Sequence, residues 1–337
     1  MEPSAGNRKK LTVEEMAREL GVSKTTVSRA LSGKGRISEE TRVRVFDFAS
    51  RSGYDPNVLA LRRERKRTNN LALVIPYHFV QLDLPFLRKC MGGICRMAAQ
   101  RGYDVLLCYA DEANTEQLER QLEARKVDGV ILTRTLLIDP CLDLVRRHRV
   151  PFVVVGRLDD ESALQVDNDQ VEASCEMTRL LLQIGMRRIA YIGGSTNYTV
   201  NTDRLRGYLR ALEEFGMAAD RELIYSGVES AELQIDALDA ALERKPECLL
   251  CCDDALAVSM LKALRQRGID VPGQLRLASL YDSEILLDTS PTISAVQFDA
   301  AALGTAACRL LLDSMAGKEV VPKQMNGYQV ILRESTK

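Results

Sequence analysis

No apolar run in the sequence approaches the roughly 18–20 residues that a membrane span needs. The polar N-terminus also lacks the pattern of a secretory leader. A cytoplasmic protein with no membrane partner is therefore expected. Histidine is scarce: only His78 and His148 occur, and neither has a partner motif. There is no Gly-x-Gly-x-x-Gly, no P-loop and no nucleophile elbow. The 47 Asp and Glu residues supply many accidental carboxylate pairs and single out none. These gaps argue against an enzyme and leave no cofactor to expect. Nine cysteines, an odd number, lie scattered through apolar segments and read as reduced, buried thiols. "CLLCC" (Cys248, Cys251, Cys252) has the spacing of a metal or redox half-site. It sits in an apolar run that reads as an interior strand, with no second pair to complete a site, so no metal is expected.

What is present is an ordinary composition unevenly distributed. The 337 residues are 46% apolar and 28% charged, enough for two or three domains each with a core. Residues 1–68 hold 16 Lys and Arg against 9 Asp and Glu, a surplus of seven positive charges. The remainder holds 30 against 38, a surplus of eight negative ones. A basic head on an acidic body points to a polyanion as the partner of the head.

Within that head, Thr12 and Glu15 have capping-box spacing, and Val13, Met16, Ala17 and Leu20 fall on one helical stripe. Gly21 is placed to stop this helix, and Ser23 to cap the next after a tight turn. On the second helix, Val27, Ala30 and Leu31 share one arc, while Lys24, Thr25, Ser28 and Arg29 share the opposite one. Two short helices joined through glycine form a helix-turn-helix, whose second helix enters the DNA major groove. A solvated helical hairpin would share the amphipathic pattern. The local charge and the short polar side chains favour DNA, since Lys and Arg can donate to guanine and a Thr methyl can touch thymine. "RISEETRVRVFDFA" adds a third helix, with Ser38 as its cap, Glu39 and Glu40 in the first turn, and Val45, Phe48 and Ala49 closing a small core.

From Leu71 onward, short apolar runs alternate with amphipathic stretches. "LALVIP", "YDVLLCYA", "DGVILT" and "PFVVVG" read as strands, separated by helices around 86–101, 114–125 and 139–148. "RRIAYIGG", "CLLCC" and "LRLASL" repeat the pattern, with helices near 169–185, 202–216, 231–243 and 254–268. Alternation of this kind predicts two lobes, each a doubly wound parallel sheet. Ligands bind such sheets at the carboxyl ends of the strands. A cleft is therefore expected to face residues 76–86, 133–136, 156–157, 194–204, 253–254 and 280–282.

The segment "LTVEEMARELGVSKTTVSRALSGKGRISEETRVRVFDFASRSGYDPN" resembles the DNA-binding head of lactose-repressor (LacI/GalR) type regulators. The match to their G-V-S-x-x-T-V-S-R signature is ungapped through Gly21, Val22, Ser23, Thr26, Val27, Ser28 and Arg29. "RRIAYIGG", Arg204 with Gly207 and Tyr208, "DDALAVSMLKAL", "GIDVP" and "ILRES" resemble the same family's effector-binding core. The resemblance implies an all-α helix-turn-helix head on a periplasmic-binding-protein-like α/β core. It further implies a transcription regulator, most simply a repressor, whose affinity for its operator is controlled by a sugar-like effector held between the lobes. A homodimer on a palindromic double-stranded operator follows, because one small head makes too few contacts for a selective site. A sugar-binding protein without regulatory output should carry a secretory leader and no such head.

Carried over by position, Lys24, Thr25 and Arg29 are base readers, and Thr12, Ser23, Thr26, Ser28, Ser38 and Thr41 are backbone contacts or supports. Asn57, Ala60, Leu61, Arg62 and Arg63 form the hinge. Arg63 stands where the family has the leucine that wedges into the minor groove. The resemblance places Arg204 and Asp254 against the effector; from the residues alone they read as a helix-start surface arginine and a helix cap. Tyr281 stands at the family's ligand-binding aspartate, with Asp282 beside it. Tyr77, Phe79 and Asp83 are first-lobe candidates for stacking on a sugar, or core. The expected division is a head at 1–55 and a hinge at 56–70. The first lobe then comprises 71–160 and 292–322, and the second lobe 161–291 and 323–337.

The basic run Arg62, Arg63, Arg65, Lys66, Arg67 can contact phosphate. Changing Arg62, Arg63 and Arg65 to Ala is expected to flatten the slope of log K against log salt, by up to about one unit for each phosphate no longer neutralised. Fluorescence anisotropy on operator DNA across a salt series measures that slope.

Overall fold

The computed structural model describes residues 13–32, 37–51, 67–76 and 85–337. It divides into two compact units, residues 1–67 and 68–337. Thr12, the hinge residues Asn57, Ala60, Leu61, Arg62 and Arg63, and Tyr77, Phe79 and Asp83 lie outside the described residues.

In the first unit, α1 (Val13–Leu20), α2 (Lys24–Ser32) and α3 (Glu39–Arg51) surround a core of Met16, Ala17, Val27, Ala30, Val45 and Ala49. Val13, Leu20, Leu31 and Phe48 pack against it, so the stripes read from the sequence point inward as expected. Gly21 ends α1 at φ +65°, a left-handed conformation that glycine reaches without a Cβ clash. The Gly21 N–H donates to the Arg18 carbonyl and the Val22 N–H to the Ala17 carbonyl, which closes the helix by a Schellman motif.

The second unit begins at Thr68. The Asp128 carboxylate accepts from the Thr68 and Asn69 N–H groups, so the chain is anchored before residue 70, where the hinge was expected to end. One sheet is parallel throughout. Its strands are β1 (Asn70–Ile75), β2 (Asp104–Tyr109), β3 (Gly129–Leu132), β4 (Phe152–Val155), β5 (Gln165–Asn168) and β11 (Lys323–Asn326), in the order β11-β5-β4-β3-β1-β2. Helices α4 (Pro85–Gln100), α5 (Glu116–Glu123) and α6 (Pro140–His148) follow β1, β2 and β3. The second sheet contains β6 (Ile189–Ile192), β7 (Ile224–Tyr225), β8 (Cys248–Cys251), β9 (Arg276–Ser279), β10 (Ser294–Phe298) and β12 (Tyr328–Ile331). Its order is β12-β10-β9-β8-β6-β7, and only β12 runs antiparallel. Helices α7 (Gln170–Gln183), α8 (Thr199–Glu214), α9 (Ala231–Glu243) and α10 (Asp254–Gln266) serve this lobe, while α11 (Ala300–Met315) packs on the first.

The lobe boundaries expected from the sequence are displaced. β5 falls in the expected second-lobe segment 161–291 yet pairs with β4 in the first sheet. β10 falls in the expected first-lobe segment 292–322 yet pairs with β9 in the second. β11 falls in 323–337 yet pairs with β5. The chain changes lobe only after finishing a strand, at 168–170, 298–300 and 326–328, because breaking a ladder mid-strand would orphan buried backbone groups.

Helices α4 and α11 cross closely on the first lobe because two glycines meet there. A Cβ on Gly93 would overlap the Ala301 carbonyl, and one on Gly304 the Cys90 carbonyl. Gly304→Ala is expected to cost about 1–3 kcal/mol, because backbone cannot yield as a side-chain tip can. Urea unfolding should show the lowered midpoint.

Candidate DNA-reading head and effector cleft

In the head, Ser23 and Ser38 start α2 and α3 identically. The Thr26 N–H donates to the Ser23 hydroxyl at 3.1 Å, and the Thr41 N–H donates to the Ser38 hydroxyl at 3.3 Å. In each pair the two hydroxyls are bonded at 2.8 Å. These four side chains thus fix where α2 and α3 begin, and each hydroxyl oxygen keeps lone-pair capacity for a further partner. The Arg44 guanidinium donates to the Leu20 carbonyl at the end of α1. With α2 so held, Lys24, Thr25, Ser28 and Arg29 are all exposed on its outer face, as the helical wheel required. Lys24 forms an ion pair with Glu14 of α1.

The second candidate site lies between the lobes of the core. Near one side, loops 133–139 and 195–199 are stitched by backbone: Leu137 N–H donates to the Asn197 carbonyl at 2.9 Å and Thr199 N–H to the Thr135 carbonyl at 3.2 Å. The Thr135 and Thr199 hydroxyls are bonded, and the Arg134 guanidinium lies 5.4 Å from the centre of the Tyr198 ring. Arg157, beyond β4, donates to Asp203 of α8 at 2.9 Å and also pairs with Asp159. Elsewhere Phe86 of α4 meets Tyr281 edge-on at 5.8 Å, and Lys89 pairs with Glu284 at 2.8 Å.

Arg204 is buried, 7% exposed, and is not the surface arginine its place near a helix start allowed. Helix α8 begins at Thr199, three residues earlier than expected, which puts Arg204 in its second turn facing inward. Its Nε donates to Gln170 Oε1 at 3.0 Å and its Nη1 to the Cys252 carbonyl at 2.7 Å. Asp254 is 3% exposed and is not the cap of α10; Asp253 is, accepting from the Leu256 N–H at 2.8 Å. Asp254 Oδ1 accepts from the Ala255 N–H, while Oδ2 is buried without a well-formed hydrogen bond, as is the neighbouring Ser283 hydroxyl. Burial pushes the Asp254 carboxyl above its usual range; the Ser283 hydroxyl, a weak hydrogen-bond donor too poorly aligned to satisfy Oδ2, opposes this, and the adjacent Asp253 charge adds to it.

Tyr281 is also buried, stacked on Phe298 at 6.3 Å and 12°. Asp282 is a different matter. Arg333, two residues beyond β12, donates to both of its oxygens at 2.7 Å, so Asp282 is committed to that arginine and offers no free carboxylate. The reason is that Asp282 is buried and Arg333 largely so, and a lone charge there would be far costlier than the pair.

Several cleft groups escaped the sequence reading. Asp167 and Asn168 end β5, whose four residues "QVDN" give no apolar run. Burial, reinforced by Asp203, pushes the Asp167 carboxyl up to about 7 against the opposing charges of Arg204 and Arg157, and Asn168 Oδ1 is a buried acceptor without a partner. Ser283 lies one residue beyond a predicted position. Gln170 and Phe298 belong to elements at lobe crossings. Among the described residues, no cluster of His, Cys, Asp and Glu is placed to hold a metal ion. No described helix is long and apolar enough to cross a membrane.

Known proteins share this arrangement. Residues 12–57 match the bacterial regulatory proteins of the lacI family, and residues 178–336 match the periplasmic binding protein-like domain. The chain is 32% identical over 335 residues to the HTH-type transcriptional regulator AscG of Escherichia coli, covering 96% of this chain and 98% of that one. It belongs to the LacI family of bacterial transcriptional regulators. Another relative in this LacI family is the HTH-type transcriptional regulator CelR of Thermobifida fusca, 29% identical over 94% of this chain and 96% of its own. A solved structure of a CelR–cellobiose complex superimposes with a TM-score of 0.75 at 28% identity, covering 97% of this chain and all of that one. As a LacI-family member the protein is a DNA-binding transcriptional regulator whose core binds an effector.

Arg29→Ala is expected to weaken operator binding by about 1–3 kcal/mol and to relax preference at one base pair, with little loss on random DNA. A binding-site selection comparing the two proteins tests both parts. Equal losses on operator and random DNA would make Arg29 a phosphate contact.

Proposed function

We propose that the protein is a cytoplasmic repressor that binds a palindromic operator as a homodimer and responds to a sugar or sugar derivative held between its core lobes. Lys24, Thr25 and Arg29 read bases. Thr12, Ser23, Thr26, Ser28, Ser38 and Thr41 contact phosphate or support the docking. The hinge residues Asn57, Ala60, Leu61, Arg62 and Arg63 lie along the minor groove, where Arg63 offers charge in place of an apolar wedge.

The observation that carries the effector reading is that one lobe buries both a guanidinium, Arg204, and a carboxylate, Asp254, one oxygen of which lacks a well-formed hydrogen bond. Both project from the second lobe, and the first lobe closes over them through Phe86 against Tyr281. A group that must find a donor, next to an aromatic face, suits a hydroxyl-rich ring. That a CelR structure is named as a cellobiose complex accords with this reading.

A ligand changes operator affinity only by its differential affinity for two arrangements of the protein. The contacts of Thr135 with Thr199 and Arg157 with Asp203 join the lobes, so a ligand that tightens or loosens the cleft changes how often they form. Arg204→Ala is expected to abolish the ligand's effect on DNA binding. Ligand-free operator affinity should stay nearly intact if the ligand is an inducer, and weak in both proteins if it is a corepressor. Anisotropy titrations of operator with and without ligand measure both, alongside circular dichroism to establish that the variant is folded. A full ligand response in Arg204→Ala would place the effector elsewhere.

A further inference from the structure

In a parallel α/β sheet the carboxyl ends of the strands and the amino ends of the following helices share one edge, and free N–H groups there make ready sites for phosphate and carboxylate. Four of those termini, at α6, α7, α10 and α11, are filled by the chain's own carboxylates, while α9 is capped by Ser230 and α5 has no side-chain cap. Asp139 accepts from the Cys141 and Leu142 N–H groups at the start of α6, at 2.9 and 3.2 Å. Asp169 accepts from Glu172 N–H at the start of α7, Asp253 from Leu256 N–H at the start of α10, and Asp299 from Ala302 N–H at the start of α11. Asp254 takes a further N–H of α10, from Ala255. The first N–H of α8, on Thr199, is given to the Thr135 carbonyl of the other lobe. At the four aspartate-capped termini an approaching anion meets negative charge where donors would otherwise stand.

The two nearby arginines do not reverse that balance. Arg157 is bonded to both Asp203 and Asp159. Arg204 spends its Nε and Nη1 on neutral acceptors, Gln170 and the Cys252 carbonyl, and its charge faces the carboxylates of Asp167 and, across Tyr281, Asp254. Arg134, at the stitched side of the cleft, gives Nη2 to Glu112 and leaves Nη1 without a partner, whereas the unmet groups beside Arg204 are acceptors. Asn168 Oδ1 and Asp254 Oδ2 are buried acceptors without a well-formed hydrogen bond, and the Ser283 hydroxyl beside Asp254 makes only a weak one to that carboxylate.

We infer that the effector is an uncharged, hydroxyl-rich molecule, an unphosphorylated and uncarboxylated sugar, and that Asp254 with Ser283 sets this preference. The inference rests on the sugar-effector reading above and narrows it. A ligand hydroxyl donates to Asp254 Oδ2 and accepts from Ser283, so one neutral group bridges the two and completes the bonding of both. A phosphate or carboxylate has no proton to give Asp254 near neutral pH and adds a like charge beside it.

Matched pairs decide the matter on the full chain. Thermal shift and calorimetry should be run with glucose, galactose, maltose and cellobiose, each against its 6-phosphate and its uronic or aldonic acid, at one ionic strength. At least one neutral sugar is expected to raise the melting temperature and to bind at least tenfold more tightly than its anionic counterparts. Asp254→Asn should shrink that ratio about tenfold by removing the repelling charge, and Ser283→Ala should weaken the neutral sugar alone. If Asp254→Asn does not fold, the matched pairs on the unaltered chain decide by themselves. An anionic member binding as tightly as its neutral counterpart would overturn the inference and leave the effector reading in place. If no sugar of either kind binds or alters operator retention, the effector reading itself fails and the inference falls with it.

Discussion

Parallel strand pairing governs where everything else in the core can be. In a parallel ladder each strand must be entered at the same edge, so a helix has to carry the chain back across the sheet before the next strand begins. The consequence is that residues 133–139, 156–160, 193–199, 252–254 and 280–283 all emerge at the carboxyl edges of their sheets, although they are far apart in the chain. Two such edges, one per lobe, bring Asp167, Arg204, Asp254, Tyr281 and Ser283 together at the junction. Each of the three lobe crossings falls between finished elements, which lets the lobes shift relative to one another without breaking a ladder.

Electrostatics then divides the labour. The head carries the positive surplus that a polyphosphate requires, while the core's negative surplus partly resides in carboxylates that cap the starts of helices. Aspartate is a strong helix cap, and at the strand–helix junctions of a two-lobed cleft it has a second effect. It fills the donors that would otherwise attract anions. The buried Asp282–Arg333 pair has the opposite character. Its two charges satisfy one another, and they tie the C-terminal segment to the loop that carries Tyr281 and Ser283.

Among the described residues, the head's core consists of six buried side chains with a few half-buried apolar ones packed against them. Local hydrogen bonding adds to it. Two serine caps define the starts of α2 and α3, a Schellman turn defines the end of α1, and Arg44 closes the last carbonyls of α1. The angle between α1 and α2 therefore rests on backbone chemistry as much as on packing, which keeps the outer face of α2 free for polar side chains.

The helices of the head, four strands of the first lobe and three of the second could be read directly from residue patterns, because each depends on contacts within a few positions. Gly21, Ser23 and Ser38 act on neighbours one to four residues away, and the stripe Val13, Met16, Ala17, Leu20 is a matter of helical period. The acceptor-rich cleft was legible only in part. Arg204 and Asp254 were marked by resemblance, yet their burial and Asp254's unsatisfied oxygen depend on where α8 and α10 begin and on what the opposite lobe covers. β5, β10, β11 and β12 have short or polar sequences whose strand character comes from their partners, and for β5 and β11 the pairing joins Lys323–Asn326 to Gln165–Asn168, more than 100 residues apart. For the same reason Asp282 looked like a ligand until Arg333, 51 residues on, was found holding it. Local patterning determines which segments are helix or strand; which polar atoms are left unsatisfied is decided by packing between distant segments, since satisfaction is a property of pairs.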